Sequence, residues 1–435
     1  MTDSTAAFTR RELLAAGLGV GAMAALPAAA QSIPNMPSST RELWLWVRSQ
    51  PVFDQHLAYL DVASAGPTLR ASMAAEYRAR ETQSLGVASV RDEQWTSETE
   101  RLTGQFASFL GCEADELLFT RGAGEAISTV AAGLDLAAGD EVITTSREHP
   151  AAISPWLVLA RRRGIVVKQV ELPAPLSGPE QALGLLAGAV TERTKVLAFS
   201  HVQYADGAVL PVRELCSLAR QRNIITVVDG AQAIGMLEVS LSELGCDFYA
   251  CAFHKWLNGS RGTGALYVRR EMLDRLWPSE PRGIDTSPPL VTPTRPVGHA
   301  DAPAALHKLG TIIPYAWPAL RGVEAALEFQ KQVGRAKIEA RVRELAIYAR
   351  LRLQQVSGVE ILTPARPGLW AGIVTFRVSG RSATDLAASL ARAHRVHVRD
   401  LQWPGSEGAL RASLHILNSH DDIDKLVSGL QQALR

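Results

Sequence analysis

Ile224-Ile225-Thr226-Val227-Val228-Asp229-Gly230-Ala231-Gln232 is a run of β-branched residues that stops at a carboxylate and a glycine turn. A short uninterrupted run of this kind suits a strand buried on both faces, as strands of parallel sheets are. An acid at the end of such a strand is costly to keep from water without a cationic partner. A protonated pyridine nitrogen is a partner of that kind, and pairing with it makes an aromatic ring an electron sink. Gln232, one turn further on, is placed to reach a phenolic oxygen on the same ring.

Working outward, the chain alternates strand-like runs with helical patterns. Strands are predicted at 116–120, 141–144, 165–170, 195–200, 224–228, 248–252 and 264–268. Between them Ile127, Val130, Ala131 and Leu134, and again Val212, Leu215, Cys216 and Ala219, fall at helical spacing. The pattern predicts an α/β fold whose large domain holds a mostly parallel seven-stranded sheet, with ligands beyond the carboxyl ends of the strands. Residues 278–303, rich in Pro, Thr and Gly, read as an irregular loop near the site. A long helical region over about 318–356, a strand at 373–378 and a terminal helix capped by Ser419 make a smaller α+β domain. Its last helix buries Ile423, Leu426, Val427 and Leu430. The resulting division is 1–30, an export signal; 31–74, a segment packing with the small domain; 75–310, the large domain; and 311–435, the small domain.

The 435 residues are 47% hydrophobic and 20% charged, with a formal net charge of +1, so no global field favours nucleic acid or an anionic membrane. Arg161-Arg162-Arg163 reads as a solvated helix end rather than a nucleic-acid patch. Thr9-Arg10-Arg11-Glu12-Leu13-Leu14 leads into an Ala/Gly-rich stretch ending at Ala28-Ala29-Ala30. Paired arginines, a short apolar region and small residues describe a twin-arginine export signal, with a periplasmic or extracellular destination and no stable membrane insertion after cleavage. A disordered N-terminus or an uncleaved anchor is the alternative. Cys112, Cys216, Cys246 and Cys251 are spaced neither as a disulfide framework nor as a metal site, and read as buried free thiols.

Three more constellations follow predicted strands. Phe119-Thr120-Arg121-Gly122-Ala123-Gly124-Glu125 closes a strand and opens a helix, which presents free N–H groups to a phosphate. It equally resembles the start of a dinucleotide fingerprint, except that Ile127 stands where the third glycine belongs. In Glu148-His149-Pro150 the imidazole can stack on an aromatic cofactor or serve as a structural hydrogen bonder. In Phe253-His254-Lys255-Trp256 a desolvated lysine gains a lowered pKa and becomes a nucleophile for a Schiff base; an exposed lysine is the plainer reading. The Gly262-Thr263-Gly264 turn that follows lets backbone approach closely.

Taken together these motifs resemble the class V aminotransferase group of fold-type I pyridoxal-phosphate (PLP) enzymes. That group includes isopenicillin N epimerase-like proteins, cysteine desulfurases and kynureninases. The resemblance runs from Tyr59-Leu60-Asp61 to Val427. It implies PLP as cofactor, Lys255 as its covalent anchor, Asp229 as the pyridinium partner and His149 as the ring-stacking residue. It further implies phosphate contacts from His254 and the Ala123–Gly124 backbone, and a contact from Gly310-Thr311 to the phosphate of a neighbouring subunit, hence a homodimer. Arg411, in Leu410-Arg411-Ala412-Ser413-Leu414 with Asn418 beyond it, matches the arginine that grips a substrate carboxylate.

Three departures stand out. Gly124 replaces a Thr whose hydroxyl holds the phosphate in many relatives, and Tyr204 replaces the Asn common in desulfurases, although its phenol can still serve the ring oxygen. No cysteine occurs between His394 and Leu410, where a desulfurase needs a mobile thiolate. The expected function is a PLP enzyme acting at the α-carbon of a small-molecule or peptidyl amino-acid unit by transamination, epimerisation or elimination, with isopenicillin N epimerase-like as the nearest label. A C–S lyase of the hercynylcysteine-sulfoxide type is the enzymatic alternative, and a non-catalytic protein that keeps the fold is the alternative of another class. A nicotinamide dehydrogenase rests on the glycine turn alone.

Overall fold

Seven strands form one sheet in the computed structural model, which describes residue 33 and residues 36–86, 92–277, 313–401 and 408–435. After β1 (Ala58–Tyr59) come β2 (Leu117–Thr120), β3 (Glu141–Thr145), β4 (Val166–Val170), β5 (Thr194–Ser200), β6 (Ile225–Asp229), β7 (Phe248–Ala252) and β8 (Gly264–Val268). Each of the seven predicted strands is present within a residue or so of its expected ends. The order is β2-β8-β7-β6-β5-β3-β4, and only β8 runs against the others. The chain therefore steps outward from β3 to β4, returns to the other side of β3 as β5, and continues away through β6 and β7. That reversal between β3 and β5 is the topological switch point, where a doubly wound sheet opens a crevice beyond its strand ends.

Burial explains why these segments are strands. Val196 and Ala198, Ile225 and Val227, and Phe248 and Ala250 enter one apolar core, which the helix Ala123–Gly133 shares through Ala126, Ile127 and Val130. Leu197 and Phe199, Val228, Tyr249 and Cys251 enter the core on the opposite face. Alternate residues thus feed two cores, so a continuous apolar run is required and a half-polar pattern would not serve. β4, at the edge, is only partly buried. Gly264 is fixed by a close approach, since a Cβ there would lie 2.4 Å from the Cys251 carbonyl oxygen and 2.6 Å from the Cα of Gly122.

The smaller sheet is antiparallel, ordered β12-β13-β10-β9, from β9 (Val359–Ile361), β10 (Ile373–Val378), β12 (Arg399–Leu401) and β13 (Ala409–Ser413); β11 (Val396–His397) pairs instead with β1. Its core gathers Phe376, Leu410 and Ala412 with Leu345, Leu386 and the predicted stripe Ile423, Leu426, Val427 and Leu430. Ser419 caps the last helix as expected, in a reciprocal capping box with Asp422. The single helical region expected over about 318–356 is two helices, Ile313–Val333 and Arg335–Leu353. Gly334, at φ 94°, breaks them; the apolar spacing continues across it, and spacing alone does not register a turn of backbone. The first of the two packs along the helix Arg70–Leu85 and places Val323 and Leu327 in the core that contains Trp256.

The segment before the large sheet runs beside the small one. β1 pairs in parallel with β11, the Ser413 N–H donates to the Leu60 carbonyl, and Arg48 reaches both Asp422 and the Leu417 carbonyl. All four cysteines are free thiols; Cys112 is half-buried and the others are buried. Among the described residues no helix is long and apolar enough to cross a membrane. The export signal, the loop at 278–303 and Gly310-Thr311 lie outside the described residues.

Candidate active site

Asp229 is the last residue of β6 and is buried, with its Oδ1 accepting a hydrogen bond from the Ala231 N–H at 2.9 Å. Burial pushes this carboxyl's pKa up, while that N–H and the Lys255 ammonium pull it down. Lys255 follows β7, the neighbouring strand. Burial, assisted by the Arg411 charge, lowers its amine to about 8, against the pull of Asp229 and Asp61. An amine so placed is deprotonated often enough near neutrality to attack a carbonyl carbon. Both residues line a cavity of about 430 Å³ beyond the carboxyl ends of the large sheet.

The helix Ala123–Gly133 begins at one wall of this cavity, which Ala123 and Gly124 line. Their N–H groups belong to the first turn and have no acceptor four residues back, so they and the helix dipole favour an anion. His254 lines the same wall, and its buried Nδ1 has no hydrogen-bond partner among the described residues. A buried polar atom left open in this way calls for a ligand group.

His149 is the N-cap of the helix Pro150–Arg163, and its Nδ1 accepts from the Ala151 N–H at 3.1 Å. That bond fixes the neutral tautomer with hydrogen on Nε2. Desolvation, with the Lys255 and Arg411 charges, lowers its pKa to about 4, so the ring is uncharged at working pH. It meets Tyr204 edge-on, with centroids 5.0 Å apart and planes at 79°. Gln232 is held at both ends, donating to the Ala63 carbonyl at 3.0 Å and accepting from the Trp256 indole at 2.7 Å. One amide hydrogen stays available to the cavity that Gln232 and Tyr204 both line.

Arg411, buried on β13, donates to Asp61 Oδ1 at 2.8 Å, to Ser64 Oγ at 2.9 Å and to the Tyr204 carbonyl at 3.0 Å. Hydrogen bonds from His397, Arg411 and Ser64 together with the Arg411 charge outweigh burial at Asp61 and hold its carboxyl below the ordinary range. The structure thus brings Ala123, Gly124, His149, Tyr204, Asp229, Gln232, His254, Lys255 and Arg411 to one cavity. Thr311 lies outside the described residues.

These residues fit PLP. The free first-turn N–H groups and the open His254 Nδ1 suit its phosphate, Asp229 its pyridinium nitrogen, and Gln232 and Tyr204 its phenolic oxygen. Lys255 would hold it covalently beside the neutral His149 ring.

Four contributors were not singled out from sequence: Asp61, Ser64, Arg399 and Glu148. Arg399 lines the cavity. Glu148 lies behind His149, accepting from Thr145 Oγ1 at 2.6 Å, Ser200 Oγ at 2.5 Å and the Ser200 N–H at 3.1 Å. Burial raises its carboxyl to about 7, and the Asp229 charge adds to the rise. Ser200 sits opposite Asp229 in the register of β5 and β6, so the two acids share one neighbour.

Because Glu148's folded pKa exceeds its unfolded one, the folded chain keeps a proton that the unfolded chain has released between pH 4.5 and about 7. Stability contributed at low pH is therefore lost as pH rises through that window. Glu148→Gln copies the neutral acid and removes that loss, on the order of 2–3 kcal/mol. Urea unfolding of the cofactor-free protein and the variant across this window measures it, and parallel pH profiles would refute it.

Residues 58–426 match the family described as Aminotransferase class-V. The chain is 33% identical to isopenicillin N epimerase of Amycolatopsis lactamdurans, over 89% of this chain and 98% of that protein. It is 31% identical to a cysteine desulfurase of Yersinia pestis (strain Pestoides F), over 88% and 95% of the two chains. A crystal structure of the Escherichia coli cysteine desulfurase CsdA superposes with a TM-score of 0.76 at 25% identity, covering 90% of this chain and 98% of that one. The fold is that of the fold-type I PLP enzymes, and the chain belongs to the class V aminotransferase family.

Proposed function

We propose that this PLP enzyme moves the α-proton of an amino-acid unit, in a reaction of the isopenicillin N epimerase kind, on a small molecule or peptide outside the cytoplasm. The observation that carries the reading is Lys255, an amine lowered to about 8 beside the buried Asp229 and facing the cavity that Arg411 closes. When bound, PLP supplies the electron sink that makes an α-proton removable. Asp229 would hold the cationic ring nitrogen, and the neutral His149 ring would flank the cofactor without adding charge. Arg411 orients the substrate carboxylate, and its fixed bonds to Asp61, Ser64 and Tyr204 keep the guanidinium from swinging. With the cofactor bound, the Lys255 amine would be the group placed to take and return the proton at the α-carbon.

Transamination, epimerisation and β-elimination share that proton transfer. The absence of cysteine between His394 and Leu410 weighs against sulfur transfer, which needs a thiolate acceptor there. The holoenzyme therefore exchanges the α-proton of its substrate with solvent deuterium, and Lys255→Ala lowers the rate at least about 10³-fold. Appearance of the opposite enantiomer marks epimerisation, a keto acid marks transamination, and pyruvate with a released thiol species marks C–S elimination. A holoenzyme that exchanges no α-proton from any amino-acid substrate sinks the reading.

Arg10-Arg11 and the small-residue stretch after them support twin-arginine export of the folded, cofactor-loaded chain. Replacing both arginines with lysine keeps the protein in the cytoplasm; equal periplasmic yield in the variant removes export. The active assembly is a homodimer, and a monomer mass for holoenzyme in sedimentation equilibrium contradicts it.

A further inference from the structure

The turn after β3, Ser146-Arg147-Glu148-His149, and the turn after β5, Val202-Gln203-Tyr204-Ala205-Asp206-Gly207, each bring one ring to the cavity wall. Two side-chain links join these turns. Gln203 Nε2 donates to Thr145 Oγ1 at 3.1 Å, and Arg147 Nη1 donates to Asp206 Oδ2 at 3.3 Å. Arg147 also donates from Nε and Nη2 to the Leu172 carbonyl, at 3.0 and 2.8 Å, and Asp206 Oδ1 accepts from the Ala208 N–H at 2.9 Å. Neither Arg147 nor Asp206 lines the cavity, but each stands two positions from a residue that does.

The Tyr204 turn is also fastened to the small domain. Thr375 Oγ1 donates to the Ala205 carbonyl at 2.7 Å, Thr363 Oγ1 to the Asp206 carbonyl at 2.6 Å, and Arg411 to the Tyr204 carbonyl at 3.0 Å. Gly207, at φ 75°, closes the turn where a Cβ would lie 2.7 Å from the Ile373 carbonyl oxygen. Arg147 thus ties the His149 turn of the large sheet to a turn already docked on the small domain.

Stability does not account for this ion pair. Both side chains are buried, and the desolvation of two charges can exceed what one contact returns; apolar residues of similar volume often hold a fold as well or better. Burial keeps the Asp206 carboxyl up at about 6 even with the Arg147 charge and the Ala208 N–H pulling it down. What a directional charged contact supplies, and an apolar one does not, is a fixed geometry between the two turns.

We propose that Arg147 and Asp206 are positioning residues, whose pair holds the Tyr204 turn against the His149 turn and so sets where the cofactor ring would sit against both. This role belongs to the cofactor's seat and holds whichever reaction at the α-carbon follows.

The test compares wild type, Asp206→Leu, Asp206→Asn and the double variant Arg147→Met/Asp206→Leu. Urea unfolding of the cofactor-free proteins reads stability. PLP titration and visible circular dichroism of bound PLP read how the ring is held. Asp206→Leu strands the Arg147 charge and lowers the unfolding midpoint, and the double variant restores it to the wild-type value or above. Affinity for PLP nonetheless falls about tenfold in the double variant, and the visible dichroic band weakens. Asp206→Asn, which keeps the shape and the Ala208 bond, moves both cofactor readouts the same way by a smaller factor. Wild-type PLP affinity and dichroism in the double variant or in Asp206→Asn overturn the proposal, because the ionic contact would then set nothing at the ring. A double variant no more stable than Asp206→Leu also overturns it, because the pair would then be holding the fold.

Discussion

A carboxylate held out of water at the end of a strand buried on both faces is the constraint around which this molecule is arranged. Asp229 has one backbone N–H and the Lys255 ammonium to offset its burial, and its pKa still rises. Such a group is stable in its charged form only when a cation completes the site. The carboxyl ends of β6 and β7 supply the acid and the amine as neighbours across one sheet, and the reversal of strand order between β3 and β5 opens the space they face. Depressing the amine to about 8 and loading strain onto the acid are two results of the same desolvation.

The second organising feature is the strip from β1 to Ser64, which joins the two sheets at the cavity. It pairs with β11, binds the Ser413 N–H through Leu60, and presents Asp61 and Ser64 to Arg411. The Ala63 carbonyl meanwhile accepts from Gln232, beyond β6 of the large sheet. A short segment early in the chain thus sets the distance between Arg411 and the strand ends of the large sheet that carry Asp229 and Lys255. Reorientation of one domain against the other would have to break these bonds, so Arg411 and Asp229 are held in one frame.

The large sheet was legible in sequence because burial on both faces demands unbroken β-branched runs, and glycine turns close them. Asp229 and Lys255 were legible because each is an expensive residue at the mouth of such a run. Asp61 was visible within Tyr59-Leu60-Asp61, but its pairing with Arg411 spans 350 positions and leaves no trace in local spacing. Glu148 stands next to His149 and yet acquires its meaning from Ser200, on a different strand. Arg399 lies in the segment that lacks the desulfurase cysteine, while its register opposite Arg411 depends on how β12 pairs. The break at Gly334 was hidden because helical spacing of the apolar residues resumes directly after it.

The proposed chemistry requires Asp229 to be ionised and paired with a cationic ring nitrogen. The direct measurement is nitrogen NMR of the enzyme loaded with PLP labelled with ¹⁵N in the ring, in wild type and Asp229→Asn. A protonated ring nitrogen in the wild type at neutral pH and above, and an unprotonated one in the variant, is the result predicted. An unprotonated nitrogen in the wild type, or a protonated one that survives in Asp229→Asn, would contradict it.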